Sequence, residues 1–303
     1  MTAPPRLFDR DLHRRRLDRA ARGVGTAEFL RAAVAEDLVG RLEAVSRRFP
    51  VAVELGARRG AFGRALGISD AAAKVDFLVQ ADLSEAMLTG RAGARTVVDE
   101  ERLPFKEAGV DLIVSAVALH WTNDLVGALI QIRRALKSDG LFLASLLGGA
   151  TLTELRQALL DAEIEITGGA GPRVSPFAEA GDMGGLLQRA GFALPVVDVD
   201  RLTVRYDHPQ ALIADLRAMG ETSVLVERPA ARLTRAILAR AGEIYIQRFA
   251  KAGRIAATFE MITLTGWAPH PAQPRPLKPG SARMRLADAL GGIERPAGER
   301  AKP

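Results

Sequence analysis

Two spacings of apolar residues alternate along the first half of this chain. Short runs in which most residues are apolar occur at positions 51–55, 77–81, 110–115 and 141–147, with a briefer run at 96–98. Between these runs, apolar residues recur at the spacing of a helix, as at 124–137, which Ser138, Asp139 and Gly140 are expected to end. Apolar strands alternating with helices predict a parallel sheet covered by helices on both faces.

The two ends of the chain predict further elements around this sheet. Amphipathic helices are expected at 7–21 and 27–49, and then at 151–166, 179–190, 209–219 and 233–250. Alternating residues at 196–206 and 255–267 predict two late strands that complete the same sheet, with the intervening helices forming a cap. We therefore expect an α/β fold with a doubly wound, mostly parallel, seven-stranded sheet. Its predicted parts are N-terminal helices (1–50), a sheet domain (51–268) and a disordered tail rich in Pro, Arg and Gly (269–303).

Residues with functional chemistry follow four of the predicted strands. Gly56 opens a glycine turn that leads into a helix, and Asp82, Asp99 and Ser115 lie at or just after the ends of the next strands. Because the carboxyl ends of parallel strands share one edge of a sheet, we expect these residues to converge. A glycine turn before a helix can receive a nucleotide-like cofactor, whose ribose an acidic residue binds. The alternatives are an ordinary turn and aspartates that only cap turns.

Composition and charge narrow the classes of function. The 303-residue chain has no cysteine, which excludes disulfides, thiolate metal sites and cysteine nucleophiles. Its net charge of +6 is spread over scattered arginines, and only 5% of residues are aromatic, so we expect no nucleic-acid partner. No apolar run could span a bilayer and no signal sequence is evident, so we expect a cytoplasmic protein that does not span a membrane. The histidines show no spacing suited to an iron site, and we predict no metal site.

The motifs along these strands together resemble the class I S-adenosylmethionine-dependent methyltransferases. They include Glu-x-Gly-x-x-x-Gly, the acidic residues after the second and third strands, a Leu-Pro-Phe turn and Asp-Leu-Ile-Val-Ser. Over nearly the whole chain, further stretches are similar to the complex I assembly factors described as arginine hydroxylases. The malonyl-carrier methyltransferases of biotin synthesis are more distantly similar. The stretches shared with the assembly factors include Phe8-Asp9-Arg10-Asp11-Leu12, Leu119-His120-Trp121, Ser175-Pro176-Phe177 and Met219-Gly220-Glu221.

This resemblance implies a methyltransferase-like fold that binds S-adenosyl-L-methionine and acts on a protein substrate, with a complex I subunit as the candidate. It also implies that His120 and Trp121, which follow the fourth strand, face the substrate as catalytic residues; their alternative is a packed role in the core. The cofactor-binding residues implied are Glu54, Gly56 and Gly60 in the turn, Asp82 on the ribose, Leu83 on the adenine, Asp99 with the adjacent Glu100 at the adenine amino group, and Ser115 and Ala116 at the floor of the site.

Several features leave the reaction open. Arg58 occupies a position where the family usually has glycine; we expect its side chain to point to solvent, but if turned inward it would crowd the cofactor. Arg156 and Glu221 are expected on solvated helix faces or, alternatively, at the substrate mouth. The charged helix at 7–21 is expected to be solvated rather than a lid. Three functions therefore remain: a methyltransferase, which we favour, an arginine hydroxylase, for which the sequence offers no mechanism, and a non-catalytic assembly chaperone with a degenerate cofactor site.

Overall fold

The computed structural model describes residues 6–23, 27–227 and 233–274, together with a few positions between 281 and 292. Within these residues, eight strands form one sheet. The strands are β1 (Val51–Leu55), β2 (Phe77–Asp82), β3 (Ala94–Val97), β4 (Val110–Ala116), β5 (Leu136–Leu147), β6 (Ala193–Tyr206), β7 (Ala250–Lys251) and β8 (Arg254–Trp267). The helices are α1 (Arg10–Ala21), α2 (Phe29–Glu43), α3 (Ala61–Gly67), α4 (Glu85–Leu88), α5 (Leu125–Ala135), α6 (Thr153–Thr167), α7 (Ala180–Arg189), α8 (Pro209–Met219) and α9 (Arg235–Phe249).

The sheet confirms the predicted α/β fold. Its strand order is β3-β2-β1-β4-β5-β8-β6, and the two-residue β7 pairs with β8 outside this path. The first five strands in the order, from β3 to β5, run parallel to one another. Strand β8 pairs antiparallel with both β5 and β6. The order reverses direction between β1 and β4, and ligands of open parallel sheets bind at such a point.

Two apolar cores fill the two faces of the sheet, as expected for strands that are buried on both sides. Adjacent residues of β4 alternate between them: Leu112 and Val114 belong to the core under α2, α3, α6, α8 and α9. Ile113 belongs to the core under α5 and α7. All three are fully buried. This arrangement fixes the strand ends, and with them the loops that carry the candidate site.

The first helix is not the solvated helix that its charge pattern predicted. Its residues His13, Leu17 and Ala20 are buried, and the helix packs against α4 and α8. The segment before it is fixed by backbone hydrogen bonds: Asp9 N donates to Val224 O at 2.8 Å, and Val226 N donates to Leu7 O at 2.9 Å. Helix α1 is thereby held across the carboxyl end of β2.

One predicted boundary is wrong. We expected residues 138–140 to end the helix before β5, but α5 ends at Ala135 and β5 already begins at Leu136. The pairing of β4 with β5 shifts between Val110↔Leu136 and Leu112↔Leu141. Asp139 has a φ of +63°, so the turn-forming residues are accommodated as a bulge within the strand.

The chain divides into two compact units, Met1–Pro269 and His270–Pro303. All the helices and strands named above belong to the first unit. Most of the tail predicted to be disordered lies outside the described residues. In the part of the chain that the structure describes, no helix is both long and apolar enough to cross a membrane.

Candidate active site

The glycine turn after β1 has a backbone that requires glycine. Gly56 and Gly60 have φ angles of +71° and +68°, in the left-handed region. A Cβ on Gly56 would come within 2.2 Å of the Cβ of Ala118, so no larger residue fits. Gly60 immediately precedes α3. The turn therefore brings backbone close to the edge of the sheet, as the sequence predicted.

Glu54 supports this turn from within the sheet. Its carboxylate is buried and accepts hydrogen bonds from the backbone N–H groups of Phe62 and Gly63 in the first turn of α3. Burial raises the pKa of Glu54 to about 7, although Arg91 and these hydrogen bonds oppose the rise. Glu54 thus shapes the turn rather than the open side of the site.

Asp82 ends β2 and is completely buried. One of its oxygens, Oδ1, accepts from the backbone N of Ser84 at 2.8 Å. The other, Oδ2, accepts from the backbone N of Arg58 at 2.7 Å and from Nη1 of the same residue at 2.9 Å. Leu83, the next residue, packs with Leu17 and Ala20 of α1. The carboxylate expected on a ribose is therefore bonded to the turn itself.

Arg58 points into the site, so the expectation that it faces solvent is wrong. Its side chain is 1% exposed and lies between two buried carboxylates. Nη1 is 2.9 Å from Asp82 and 3.8 Å from Oε1 of Glu100. Nε and Nη2 have no hydrogen-bond partner. The residue has a φ of +49°, and this strained turn directs the side chain inward.

Asp99 and Glu100 follow β3 and bind the same arginine of α1. Nη2 of Arg10 donates to Asp99 Oδ1 at 2.7 Å and also to Glu100 Oε2. The Asp99 side chain is 32% exposed, whereas that of Glu100 is fully buried. Glu100 Oε1 has no hydrogen-bond donor. The sequence motif predicted both carboxylates at this edge, but nothing in it indicated that Arg10 binds them.

Ser115 and Ala116, which were predicted to form the floor of the site, are the last two residues of β4. Ser115 is buried and its Oγ has no partner, while the carbonyl of Ala116 accepts from Nη1 of Arg31 at 2.9 Å. His120 and Trp121 lie in a short 3-10 helix just beyond, and both are buried. The structure therefore brings the predicted floor and the predicted catalytic pair to one edge of the sheet.

Glu221 holds this region together, and its expected place on a solvated face is wrong. It is 7% exposed and accepts from His120 Nε2 at 3.0 Å, from Trp121 Nε1 at 2.8 Å and from Arg31 Nη2. Burial alone would raise its pKa, but attraction to His120, Arg31 and Arg58 outweighs burial and lowers the pKa to about 2. Glu221 is therefore an anion at neutral pH.

The charge of Glu221 determines the tautomer of His120. An ionised carboxylate only accepts hydrogen bonds, so His120 Nε2 carries the proton. Burial lowers the pKa of His120 below its ordinary 6.5, although Glu221 opposes the change, so the ring is neutral at pH 7. Its Nδ1 is then an unprotonated acceptor, and it has no partner. This is the arrangement of a base oriented by a carboxylate.

Helix α1 covers this group of residues. His13 is buried 5.3 Å from Trp121, measured between ring centroids, and burial lowers its pKa, as do Arg58 and Arg10. Ser84 Oγ donates to Asp18 at 2.6 Å. Position along the chain gave no sign that His13 belongs here, because its partners come from distant segments.

A cavity of about 580 Å³ lies close to His120. It is lined by Phe177, whose ring centroid is 5.7 Å from that of His120, and by Arg156. The Arg156 guanidinium donates to two backbone carbonyls, Gly149 O at 3.4 Å and Thr151 O at 3.2 Å. Arg156 thus lines a cavity close to His120, and its place at a substrate mouth stays a prediction.

These residues fit a nucleotide-like cofactor in all but one respect. The glycine turn leaves room for close approach, Asp82 lies at the end of β2, and Glu100 offers a buried oxygen without a donor. The exception is Arg58, which occupies one of the two Asp82 oxygens. Among the described residues, no group of three His, Asp or Glu side chains could hold a metal ion.

Comparisons with known proteins agree with this geometry. Residues 53–144 match the methyltransferase domain family. The chain is 37% identical over 290 residues to the arginine-hydroxylase NDUFAF5, mitochondrial, of Danio rerio, covering 93% of this chain and 89% of that protein. It is 32% identical over 308 residues to the malonyl-(acyl-carrier protein) O-methyltransferase of Methylovorus sp. (strain MP688), covering 97% of each.

A solved structure shows the same fold. The crystal structure of the YcgJ protein from Bacillus subtilis is 16% identical and has a TM-score of 0.51, covering 77% of this chain and 98% of that one. Together, these matches confirm the predicted methyltransferase-like fold, the predicted family and S-adenosyl-L-methionine as the cofactor of the methyltransferase domain.

Proposed function

We propose that this chain methylates a protein substrate during maturation of respiratory complex I. The premise is that the chain belongs to the methyltransferase-fold family of the arginine-hydroxylase NDUFAF5. The observation that carries the proposal is the buried pair formed by His120 and Glu221. Nε2 of His120 lies 3.0 Å from Glu221, and His120 follows β4, whose carboxyl end lies at the same edge of the sheet as Asp82 at the end of β2. A base and a cofactor turn therefore share one site.

The roles of the residues follow from their chemistry. S-adenosyl-L-methionine supplies a methyl group activated on a sulfonium. Asp82 and Glu100 would hold its adenosine, with Gly56 allowing the close approach. His120 accepts a proton at Nδ1 from the attacking atom of the substrate, and Glu221 keeps that nitrogen unprotonated beforehand. Methyl transfer otherwise requires mainly proximity and alignment.

The substrate side chain would enter through the cavity beside Phe177. That ring lines the cavity, and its centroid is 5.7 Å from that of His120, which makes this cavity the proposed route of the substrate side chain to the histidine. Arg156, which lines the same cavity, would bind an acidic group of the protein substrate, because its hydrogen bonds to backbone carbonyls are long, at 3.2 and 3.4 Å.

A second candidate function is hydroxylation of an arginine in a complex I subunit. The observation that favours it is the name of the Danio rerio relative, which matches 93% of this chain. The two candidates differ in the mass that the substrate gains, which is a methylene group for methylation and an oxygen atom for hydroxylation.

The test uses complex I subunits from cells that lack this protein, incubated with the purified protein and methyl-labelled S-adenosyl-L-methionine. We expect label and a methylene mass on one subunit. His120→Asn should lower the rate roughly 100-fold or more, whereas His270→Asn, at an exposed histidine, should retain the wild-type rate. Gain of an oxygen would select the hydroxylase, and label only on malonyl-acyl-carrier protein would show a small-acid substrate.

We place this activity in the cytoplasm, with a protein and not a nucleic acid as the partner. The Danio rerio relative is named as mitochondrial. Fractionation of the source cells, followed by detection of the protein with an antibody, tests the placement; recovery with a membrane or an organelle would contradict it.

A further inference from the structure

The guanidinium of Arg58 lies between the two carboxylates that the cofactor is expected to use. Its Nη1 is 2.9 Å from Asp82, at the end of β2, and 3.8 Å from Glu100, after β3. In a sheet of this kind, ligands bind at the carboxyl ends of the strands, and an acidic residue after the second strand binds the ribose of a nucleotide-like cofactor. We propose that Arg58 is an internal competitor of the cofactor, which must displace its side chain from Asp82 in order to bind. The inference rests on the proposed cofactor site.

The hydrogen bonds of Asp82 show why the two cannot bind together. Oδ2 accepts from both the backbone N and Nη1 of Arg58, which uses its two lone pairs. Oδ1 accepts from Ser84 N, which leaves one lone pair. A ribose presents two hydroxyl donors, so Asp82 can accept both only after Nη1 leaves. The backbone bonds from Arg58 and Ser84 can remain, because they form the turn.

The competitor is held less firmly than its burial suggests. A buried guanidinium is stable when all its nitrogens donate, but Nε and Nη2 of Arg58 have no acceptor. The turn that carries it also has a φ of +49°, which non-glycine residues rarely adopt. Arg58 therefore occupies the site strongly enough to compete, while its incomplete hydrogen bonding favours release.

Helix α1 is bound at both ends to groups beside Arg58. The N-terminal end of this helix is bound through Arg10 to Asp99 and Glu100. Its other end is bound by Arg59, whose Nη2 donates to the carbonyls of Ala20 at 2.9 Å and Gly23 at 2.6 Å. The two adjacent arginines of this turn thus have different partners: Arg58 binds the Asp82 carboxylate, and Arg59 binds the C-terminal end of α1.

The test is calorimetric titration of S-adenosyl-L-methionine, S-adenosylhomocysteine and adenosine into the wild-type protein, Arg58→Gly and Arg58→Ala. The apparent Kd of a site that is open only part of the time is its intrinsic Kd divided by the open fraction. Removing the competitor raises that fraction to one, so we expect each variant to bind all three ligands more tightly by the same factor, at least about tenfold. Arg64→Ala, which removes an exposed arginine of α3, should bind like the wild type.

Two variants separate the competitor from a backbone effect. Arg58→Gly removes both the side chain and the strain of a positive φ, whereas Arg58→Ala keeps the strain and removes only the guanidinium. Circular dichroism and thermal melting of the free proteins establish that both are folded before titration. Tightening in both variants supports competition; tightening in the glycine variant alone overturns it, since relaxation of the backbone then explains the gain.

Other outcomes also overturn the inference. Weaker binding in both variants would mean that Nε and Nη2 bind the cofactor carboxylate, which makes Arg58 a ligand and not a competitor. Micromolar binding that is equal in all variants would remove the inference and leave the proposed function intact. Absence of binding in the wild type and in both Arg58 variants would remove both, and would favour a non-catalytic assembly chaperone.

Discussion

Replacement of Glu221 by glutamine should destabilise the fold. Glu221→Gln keeps the volume of the side chain but removes its negative charge. Three donors, from Arg31, His120 and Trp121, currently converge on its two oxygens. An amide offers only one oxygen, and its NH₂ group would face a donor, so the buried guanidinium of Arg31 would lose its counter-charge.

The magnitude follows from the pKa of Glu221. The fold lowers this pKa from 4.5 to about 2. A shift of that size corresponds to about 3 kcal/mol of stabilisation of the ionised form, and breaking a buried ion pair costs about 3–5 kcal/mol. Since Glu221 is 7% exposed, solvent screening reduces the value little. We therefore expect Glu221→Gln to lower the free energy of unfolding by about 3 kcal/mol at neutral pH.

The lowered pKa of Glu221 also determines how its contribution to stability changes with pH. Because the folded pKa lies below the unfolded one, this contribution is fully present above pH 4.5 and is lost as the pH falls towards about 2. The difference between the wild type and Glu221→Gln should therefore shrink over that range. Urea unfolding followed by the fluorescence of the two tryptophans, Trp121 and Trp267, at neutral pH and at steps down to about pH 3, measures it.

The matched control is Glu165→Gln, at an exposed glutamate that pairs with Arg240. Its free energy of unfolding should equal that of the wild type, because surface ion pairs contribute little to stability. A Glu221→Gln protein as stable as the wild type at neutral pH would refute the assignment of Glu221 as the buried counter-ion. A difference that does not change with pH would refute the pKa argument alone.

Three further predictions test other parts of the site. Gly56→Ala should lower stability by about 1–3 kcal/mol in thermal unfolding, because its Cβ meets a neighbour at 2.2 Å, whereas Gly67→Ala, with nothing within 4 Å, should not. Arg10→Met should destabilise the fold by about 3 kcal/mol and speed hydrogen exchange in α1, since it leaves Glu100 without its buried partner; unchanged exchange would contradict this. The acid limb of the pH–rate profile should lie below pH 6.5, because the pKa of His120 is lowered from that value; a limb at or above it would exclude His120 as the base.

The sequence predicted what depends on local pattern. Gly56, Asp82 and Asp99 each follow an apolar strand, and parallel strands bring their ends to one edge whatever the rest of the fold does. The late strands could also be predicted, because their alternation is a property of a few adjacent residues. For the same reason, the sequence placed His120 beyond β4.

The partners of these residues could not be predicted. Arg31 and Glu221 are 190 positions apart, and Arg10 is 89 positions from Asp99. A charged residue on an amphipathic helix looks the same whether it faces solvent or a distant opposite charge. The inward direction of Arg58 likewise depends on a positive φ that only the folded turn imposes.

Residues 7–9 and Arg31, near the start of the chain, bind residues between 221 and 226. This has a consequence for synthesis on the ribosome. The parallel strands β1 to β5 can pair as soon as they leave the ribosome. The Glu221 carboxylate that binds Arg31 is synthesised only 190 residues after the arginine. During that interval, the nascent chain holds the Arg31 cation and the His120 ring without the Glu221 carboxylate, so the edge of the sheet that carries the chemistry cannot consolidate before residue 221 is made. Nascent chains cut short before Glu221 should therefore be the species that chaperones and proteases recognise, even though they contain the whole methyltransferase domain match.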